Sequence, residues 1–412
     1  MVTGTRGDLA LVMSGGGARA AYQVGLLRAL ARHRPDFDPQ IVTGVSAGAI
    51  NAAAIAALPG TFGERVERLV ELWSGLRAEH VFHAETGVLA ANVLRVGMKL
   101  VSGGLVKGPD VRSLVDTTPL RSFLVRALSA EPDGSLPGIA RRLDMGTLRA
   151  VAITAASYST GQSITFVEGR DVVPWTRAQR KSRATRLRVE HVLASASLPI
   201  FFPAVEVDGH WFGDGGMRLT APLSPAVHLG ARRILAISTR YARSIEEADE
   251  ASVDAYPPPA QVLGVVFNSI FLDQFDADAQ TLERVNALLR AEQQARRLTG
   301  DGPDEAPDFD PDAAAALCGV SGTNAPLDGL RELALCVQRP SRDLGRMANE
   351  HEPDLPGAFR FLTRGLGTKE TRSNDMLSLV MFQPDYIARL VELGEKDGAA
   401  RADELDRFLA GG

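Results

Sequence analysis

Within its first sixty residues the chain runs twice through one pattern: a short apolar run, a glycine turn, then a segment with helical periodicity. Residues 9–13 are apolar and end in Ser14-Gly15-Gly16-Gly17, after which residues 20–32 place Tyr22, Val24, Leu26, Leu27 and Leu30 at helical spacing. Residues 40–43 then predict a second strand, Gly44 to Gly48 a sharp turn, and residues 49–58 an alanine-rich helix stopped by Pro59-Gly60. Consecutive strand-turn-helix units call for a parallel sheet covered on both faces. The fold class read from this pattern is α/β, a three-layer α/β/α core with a mainly parallel sheet.

Further along, residues 64–128 read as helical, with Val66, Leu69, Val70, Leu72 and Trp73 on one stripe and breakers at Gly103-Gly104 and Gly108-Pro109. Strand signals return at 148–155, 163–167, 205–212 and 234–238, so the sheet is expected to be complete by about residue 240. Two regions follow: 1–240, carrying a helical cap insertion at about 60–145, and 241–412, a mainly helical C-terminal extension with an acidic flexible segment near 298–325.

A formal net charge of −5 supplies no global positive field, so no nucleic-acid partner is expected. Cys318 and Cys336 make no disulfide framework and match no metal-ligand spacing; no metal and no cofactor are expected. The polar N-terminus gives no signal-peptide pattern, and the longest apolar stretch, 41–58, is too rich in Gly, Ala, Ser and Thr to read as a membrane span. The expected location is cytoplasmic, peripheral at the inner membrane surface if the substrate is there.

Three glycine-rich turns carry the candidate chemistry. Gly44-Val45-Ser46-Ala47-Gly48 fits G-x-S-x-G between a strand and a helix, the context that lifts a serine hydroxyl clear of a sheet. Ser46 is read as a nucleophile, against the plainer reading of a turn that caps the next helix. Ser14-Gly15-Gly16-Gly17-Ala18-Arg19 opens a helix after a strand, where backbone amides and the helix dipole hold developing negative charge. Its amides, at Gly15, Gly16 and Gly17, are candidate oxyanion donors; the rival reading, phosphate binding, lacks the P-loop lysine pattern. Arg19 stays open between bracing this loop, meeting an anionic head group and a surface ion pair. Gly213-Asp214-Gly215-Gly216 puts a carboxylate in a turn at a strand end.

In this order, the glycine loop, the G-V-S-A-G elbow and the D-G-G turn resemble the patatin-like phospholipase family. Supporting stretches are Asp116-Thr117-Thr118-Pro119-Leu120, Ala194-Ser195-Ala196-Ser197-Leu198-Pro199, Phe201-Phe202-Pro203 and Pro222-Leu223-Ser224-Pro225-Ala226. Ala20 stands where the family's loop usually closes with glycine. The resemblance covers roughly residues 9–240 and implies a catalytic domain there. It further implies a Ser46–Asp214 dyad, an oxyanion hole at Gly15 to Gly17 with Arg19, Gly44, Gly48, Gly215 and Gly216 in support, and a lipid or membrane-surface substrate. Phospholipase A or lysophospholipase activity is the expectation; transacylase, triacylglycerol lipase and non-catalytic lipid-binding roles are the alternatives.

A Ser-His-Asp triad in the order Ser, Asp, His leaves only His228 and His351 after Asp214, neither in a recognisable loop. A basic run, Arg177, Arg180, Lys181, Arg183, Arg186 and Arg188, reads either as a contact for anionic head groups or as a solvated loop.

Overall fold

A computed structural model describes residues 9–82, 115–199, 201–249, 256–271, 273–299, 331–352 and 374–410. The cap expected at 60–145 lies partly outside these residues, as do its breakers at Gly103-Gly104 and Gly108-Pro109 and most of the acidic segment near 298–325.

Among these residues the core is a nine-stranded sheet, β1 (Leu9–Met13), β2 (Ile41–Val45), β3 (Ala150–Ser157), β4 (Ser163–Gly169), β5 (Arg180–Ala184), β6 (Val205–Val207), β7 (His210–Asp214), β8 (Arg233–Ile237) and β9 (Ala334–Gln338), with main order β5-β4-β3-β2-β1-β8-β9. The five strands β3-β2-β1-β8-β9 are mutually parallel, while β4 runs antiparallel to β3. Strand period divides each buried strand between two cores. Leu11, Met13, Val42, Leu235 and Ile237 face one, and Ala10, Val12, Ile41, Ile234 and Ala236 face the other. The expected mainly parallel α/β/α architecture is what the chain adopts.

Helices α1 (Ala21–His33), α2 (Ala47–Ala57) and α3 (Phe62–Ser74) cover the first face, while α5 (Ser224–His228) covers part of the second; α4 (Val189–Ser195) packs on β3, β6 and β7. The remaining helices that bear on the site are α6 (Pro259–Phe271), α7 (Asp273–Thr299), α8 (Asp375–Val380) and α9 (Pro384–Ala400).

Two expectations need correction. The sheet does not end near residue 240: β9 joins it beside β8, with Leu335 opposite Ile234 and Val337 opposite Ala236. Its short run, Ala-Leu-Cys-Val-Gln, gives little periodic signal alone and becomes a strand because β8 offers a free edge. The basic run is not a simple solvated loop either. Residues 180–184 pair in parallel with β4, Ser182 is buried with its hydroxyl accepting from the Trp175 amide, and Arg188 pairs with Asp208.

The C-terminal region packs closely on the first face. Gly25 of α1 lies against the backbone of α9 at Val391, and Gly394 of α9 against that of α1 at Tyr22, so a Cβ at either position would overlap a carbonyl oxygen. The glycine pair lets two helix backbones approach at contact distance. Gly25→Ala is expected to destabilise the protein by about 1–3 kcal/mol through overpacking. Gly63→Ala in α3, where a Cβ would meet only the Ala31 methyl at 4.0 Å, is expected to be neutral or to stabilise by up to about 1 kcal/mol. Urea unfolding of both variants checks this; equal effects would contradict the close-approach account.

Candidate active site

Sheet geometry brings together the two residues singled out by the sequence. Val45, the last residue of β2, pairs with Thr154 of β3. One residue further along β3, Ala155 pairs with Asp214 of β7 on the same side, because β4 occupies the other. Val45, which immediately precedes Ser46, and Asp214 therefore stand on adjacent rungs of one strand. Ser46 Oγ donates to Asp214 Oδ2 at 2.6 Å.

Ser46 has φ 55 and ψ −132, in the left-handed half of the map, and is the residue from which α2 starts. For a residue with a side chain this backbone costs about 1–3 kcal/mol and must be over-determined by its surroundings. The determinants are visible. The Ser46 amide donates to Ser195 Oγ at 2.9 Å, and Ser195 Oγ donates in turn to the Thr154 carbonyl at 2.6 Å. At Gly48 a Cβ would overlap the Met13 and Ser14 carbonyls, and at Gly44 it would overlap the Gly48 carbonyl. The elbow fits the end of β1 only with glycine on both sides.

Asp214 is fully buried. Its Oδ1 accepts the Gly216 amide at 2.9 Å, and its own amide donates to the Ser197 carbonyl at 2.9 Å. Gly215 lies against the Thr154 carbonyl and Val45, and Gly216 against the Phe271 ring. Burial pushes the Asp214 carboxyl up to about 7, while the Ser46 hydroxyl and Gly216 amide pull it back by favouring the charged form.

The glycine loop abuts the elbow. A Cβ on Gly15 would stand 2.9 Å from Ser46 Cβ; Gly16 and Gly17 have φ 143 and 55, and both line a pocket with Ser46. A buried polar network fixes the loop from behind. Thr239 Oγ1 donates to the Gly15 carbonyl at 2.6 Å, and Gln23 Nε2 donates to the Ser14 carbonyl at 2.8 Å. Asn51 Nδ2 donates to Gln23 Oε1 at 2.9 Å, and Trp73 Nε1 to Asn51 Oδ1 at 2.7 Å. None of these four residues stands in a recognisable motif, and the sequence marks only Trp73, as part of the apolar stripe of α3.

Of the three readings of Arg19, the surface ion pair does not hold, because the side chain lies inside the protein. Its side chain is buried, with Nε donating to Ser378 Oγ at 2.7 Å and Nη2 reaching Asp375 Oδ1 at 2.7 Å. Ala20 is fully buried and its carbonyl accepts from Asn51, so the methyl is accommodated.

The pocket beside Ser46 is apolar; Ile50, Trp73, Leu120, Phe202, Phe271 and Phe382 form much of its wall. His228 stacks on Trp175 of the second core with ring centroids 4.5 Å apart, while His351 lies 5.9 Å from the Tyr386 ring. His191 is fully buried, accepts from the Arg188 amide, and is pushed down to about 4, mainly by burial. Among the described residues, no group of three or more His, Cys, Asp or Glu side chains is arranged to hold a metal, and no helix is long and apolar enough to cross a membrane.

Chemically, the arrangement offers a hydroxyl beside a carboxyl group whose proton affinity burial has raised, next to an apolar pocket. Because the folded-state value of Asp214 lies above its ordinary 3.8, the native state keeps a proton that the unfolded state has released. The stability tied to that proton is full below about pH 4 and is lost as pH rises through about 7. Relative to Asp214→Asn, the wild type should therefore lose unfolding free energy across that window. Urea titrations at several pH values check this, and a pH-independent difference would contradict the buried-carboxylate account.

The family model for patatin-like phospholipases matches residues 11–227. A search of curated proteins gives no match. Among solved structures, VipD from Legionella pneumophila is similar at 12% identity and TM-score 0.35, over 97% of this chain and 67% of that one. Human GIVD cytosolic phospholipase A2, in complex with methyl gamma-linolenyl fluorophosphonate, is similar at 14% identity and TM-score 0.41, over 98% of this chain and 59% of that one. The type III effector protein ExoU is similar at 14% identity and TM-score 0.25, over 91% of this chain and 77% of that one.

Proposed function

Since the chain belongs to the patatin-like phospholipase family, whose membership supports lipid acyl hydrolase activity in general, we propose that it cleaves the carboxylic esters of phospholipids or lysophospholipids with Ser46 as nucleophile and Asp214 as base. The observation that carries this reading is the 2.6 Å contact between Ser46 Oγ and a carboxylate wholly removed from water. An exposed aspartate is far too weak a base for a hydroxyl; a value near 7 narrows the gap and leaves much of the group ionised at neutral pH.

In the proposed reaction Asp214 takes the hydroxyl proton as Ser46 Oγ attacks the ester carbonyl. Negative charge develops on the carbonyl oxygen and is met by the amides of Gly16 and Gly17, with Gly15 beside them, ahead of α1. The tetrahedral intermediate collapses, the ester C–O bond breaks, and the proton held by Asp214 passes to the departing alkoxide, leaving an acyl-serine. Water then attacks with Asp214 again as base; the fatty acid leaves and the proton returns to Ser46. The apolar wall from Ile50 to Phe382 suits an acyl chain. Transacylation and triacylglycerol hydrolysis share these steps and differ only in acceptor or leaving group. A phospholipid substrate implies work peripheral to a membrane surface.

The expected pH profile follows from the base: kcat/KM rises as pH increases through about 7 and then levels off. Ser46→Ala should abolish turnover of a phospholipid, and Asp214→Asn should lower kcat by about 10²- to 10⁴-fold. His228→Ala and His351→Ala should retain wild-type rates. Fatty-acid release from phosphatidylcholine, lysophosphatidylcholine and triolein by each variant is the measurement. Loss of activity in either histidine variant would replace the dyad with a triad.

A further inference from the structure

The family-matched span ends at residue 227, yet Leu379, Val380 and Phe382 line the pocket beside Ser46. We propose that the segment 374–382 completes the active site, with Asp375 and Ser378 positioning the glycine loop through Arg19 and with Leu379, Val380 and Phe382 setting which acyl chains the pocket accepts. This inference rests on the hydrolase reading above and deepens it.

Three observations meet here. Arg19 lies in the 3-10 turn Gly17–Ala20, which starts at the last of the candidate oxyanion glycines, and its guanidinium is almost wholly buried. A buried cation is tolerable only when it is paired and hydrogen-bonded. Its partners come from α8: Ser378 Oγ at 2.7 Å from Nε, and the Asp375 carboxylate and carbonyl at 2.7 and 3.0 Å from Nη2. Ser378 also donates to the Asp375 carbonyl at 2.6 Å, so the acceptor set is held as a unit.

Next, Gly17 lies directly against the Leu379 carbonyl, leaving no room for a Cβ at a φ of 55. The loop's conformation and the register of α8 thus fix each other. The segment is itself anchored: Asn374 caps α8 by accepting from the Leu377 amide, and α9, which follows, packs on α1. Finally, Leu379, Val380 and Phe382 are buried side chains of the pocket wall, joined by Phe271 from α6.

Asp375 and Ser378 act through Arg19 and are positioning residues. Leu379, Val380 and Phe382 would touch the acyl chain. A pocket residue that gains or loses a few methylenes changes discrimination between chain lengths by roughly tenfold or more. A displaced oxyanion donor instead slows the chemical step for every chain.

The test uses p-nitrophenyl esters from butyrate to palmitate with the full-length wild type, Phe382→Ala, Val380→Phe, Asp375→Ala, Asp375→Asn and Ser378→Ala, with Ser46→Ala as blank and circular dichroism as a check of folding. Phe382→Ala should raise the palmitate-to-butyrate ratio of kcat/KM about tenfold, and Val380→Phe should lower it about tenfold. Asp375→Ala and Ser378→Ala should lower kcat about ten- to hundredfold across the series with KM little changed. Asp375→Asn, which keeps an acceptor oxygen, should recover part of that loss. Phe382→Leu repeats the first arm with a milder change should Phe382→Ala not fold. Folded variants with the wild-type chain-length profile and wild-type kcat would overturn the inference alone. A wild type that hydrolyses no ester in the series would overturn the hydrolase reading, and this inference with it.

Discussion

The site depends on one unfavourable act, the removal of the Asp214 carboxylate from water, and on what offsets it. Two hydrogen bonds reach its oxygens, from Ser46 Oγ and from the Gly216 amide. They recover part of the desolvation penalty, and the remainder appears as a proton affinity raised to about 7. In the proposed reaction that remainder is the source of basicity. In that proposal a carboxylate brought by burial into the range of a histidine stands in for an imidazole.

Placing the two groups is the work of β3. Its pairing partner changes from β2 to β7 between Thr154 and Ala155, so the ends of two distant segments land on neighbouring rungs. The Thr154 carbonyl also accepts from Ser195, which holds the strained Ser46 amide. Behind the glycine loop, the chain from Trp73 through Asn51 and Gln23 to Ser14 satisfies buried polar groups that would otherwise cost about 1–3 kcal/mol each. A rigid buried network of this kind suits a site whose donors must be in place before charge develops.

Much of this was legible in the sequence because it is local. The strand-turn-helix repeats determine both the parallel core and the glycine turns, and the turns carry Ser46, Asp214 and Gly15 to Gly17 within a few residues of strand ends. What was not legible is what depends on distant pairing. The five residues of β9 carry too little pattern to declare a strand, and residues 180–184 look like a basic loop until β4 pairs with them. Thr239, Gln23 and Asn51 are ordinary polar residues whose roles arise only from where the sheet puts them. Arg19 could not be assigned because its partners lie more than 350 positions away.

The central claim, that Ser46 is the nucleophile and that the buried carboxylate beside it suffices as base, is tested most directly by locating a covalent adduct. Wild type and the double variant His228→Ala/His351→Ala would be treated with an alkyl fluorophosphonate near pH 8, digested, and mapped by mass spectrometry. The account predicts a single phosphonyl group on the peptide bearing Ser46 in both proteins, formed at similar rates. An adduct on another serine, or a Ser46 adduct that requires either histidine, would contradict it.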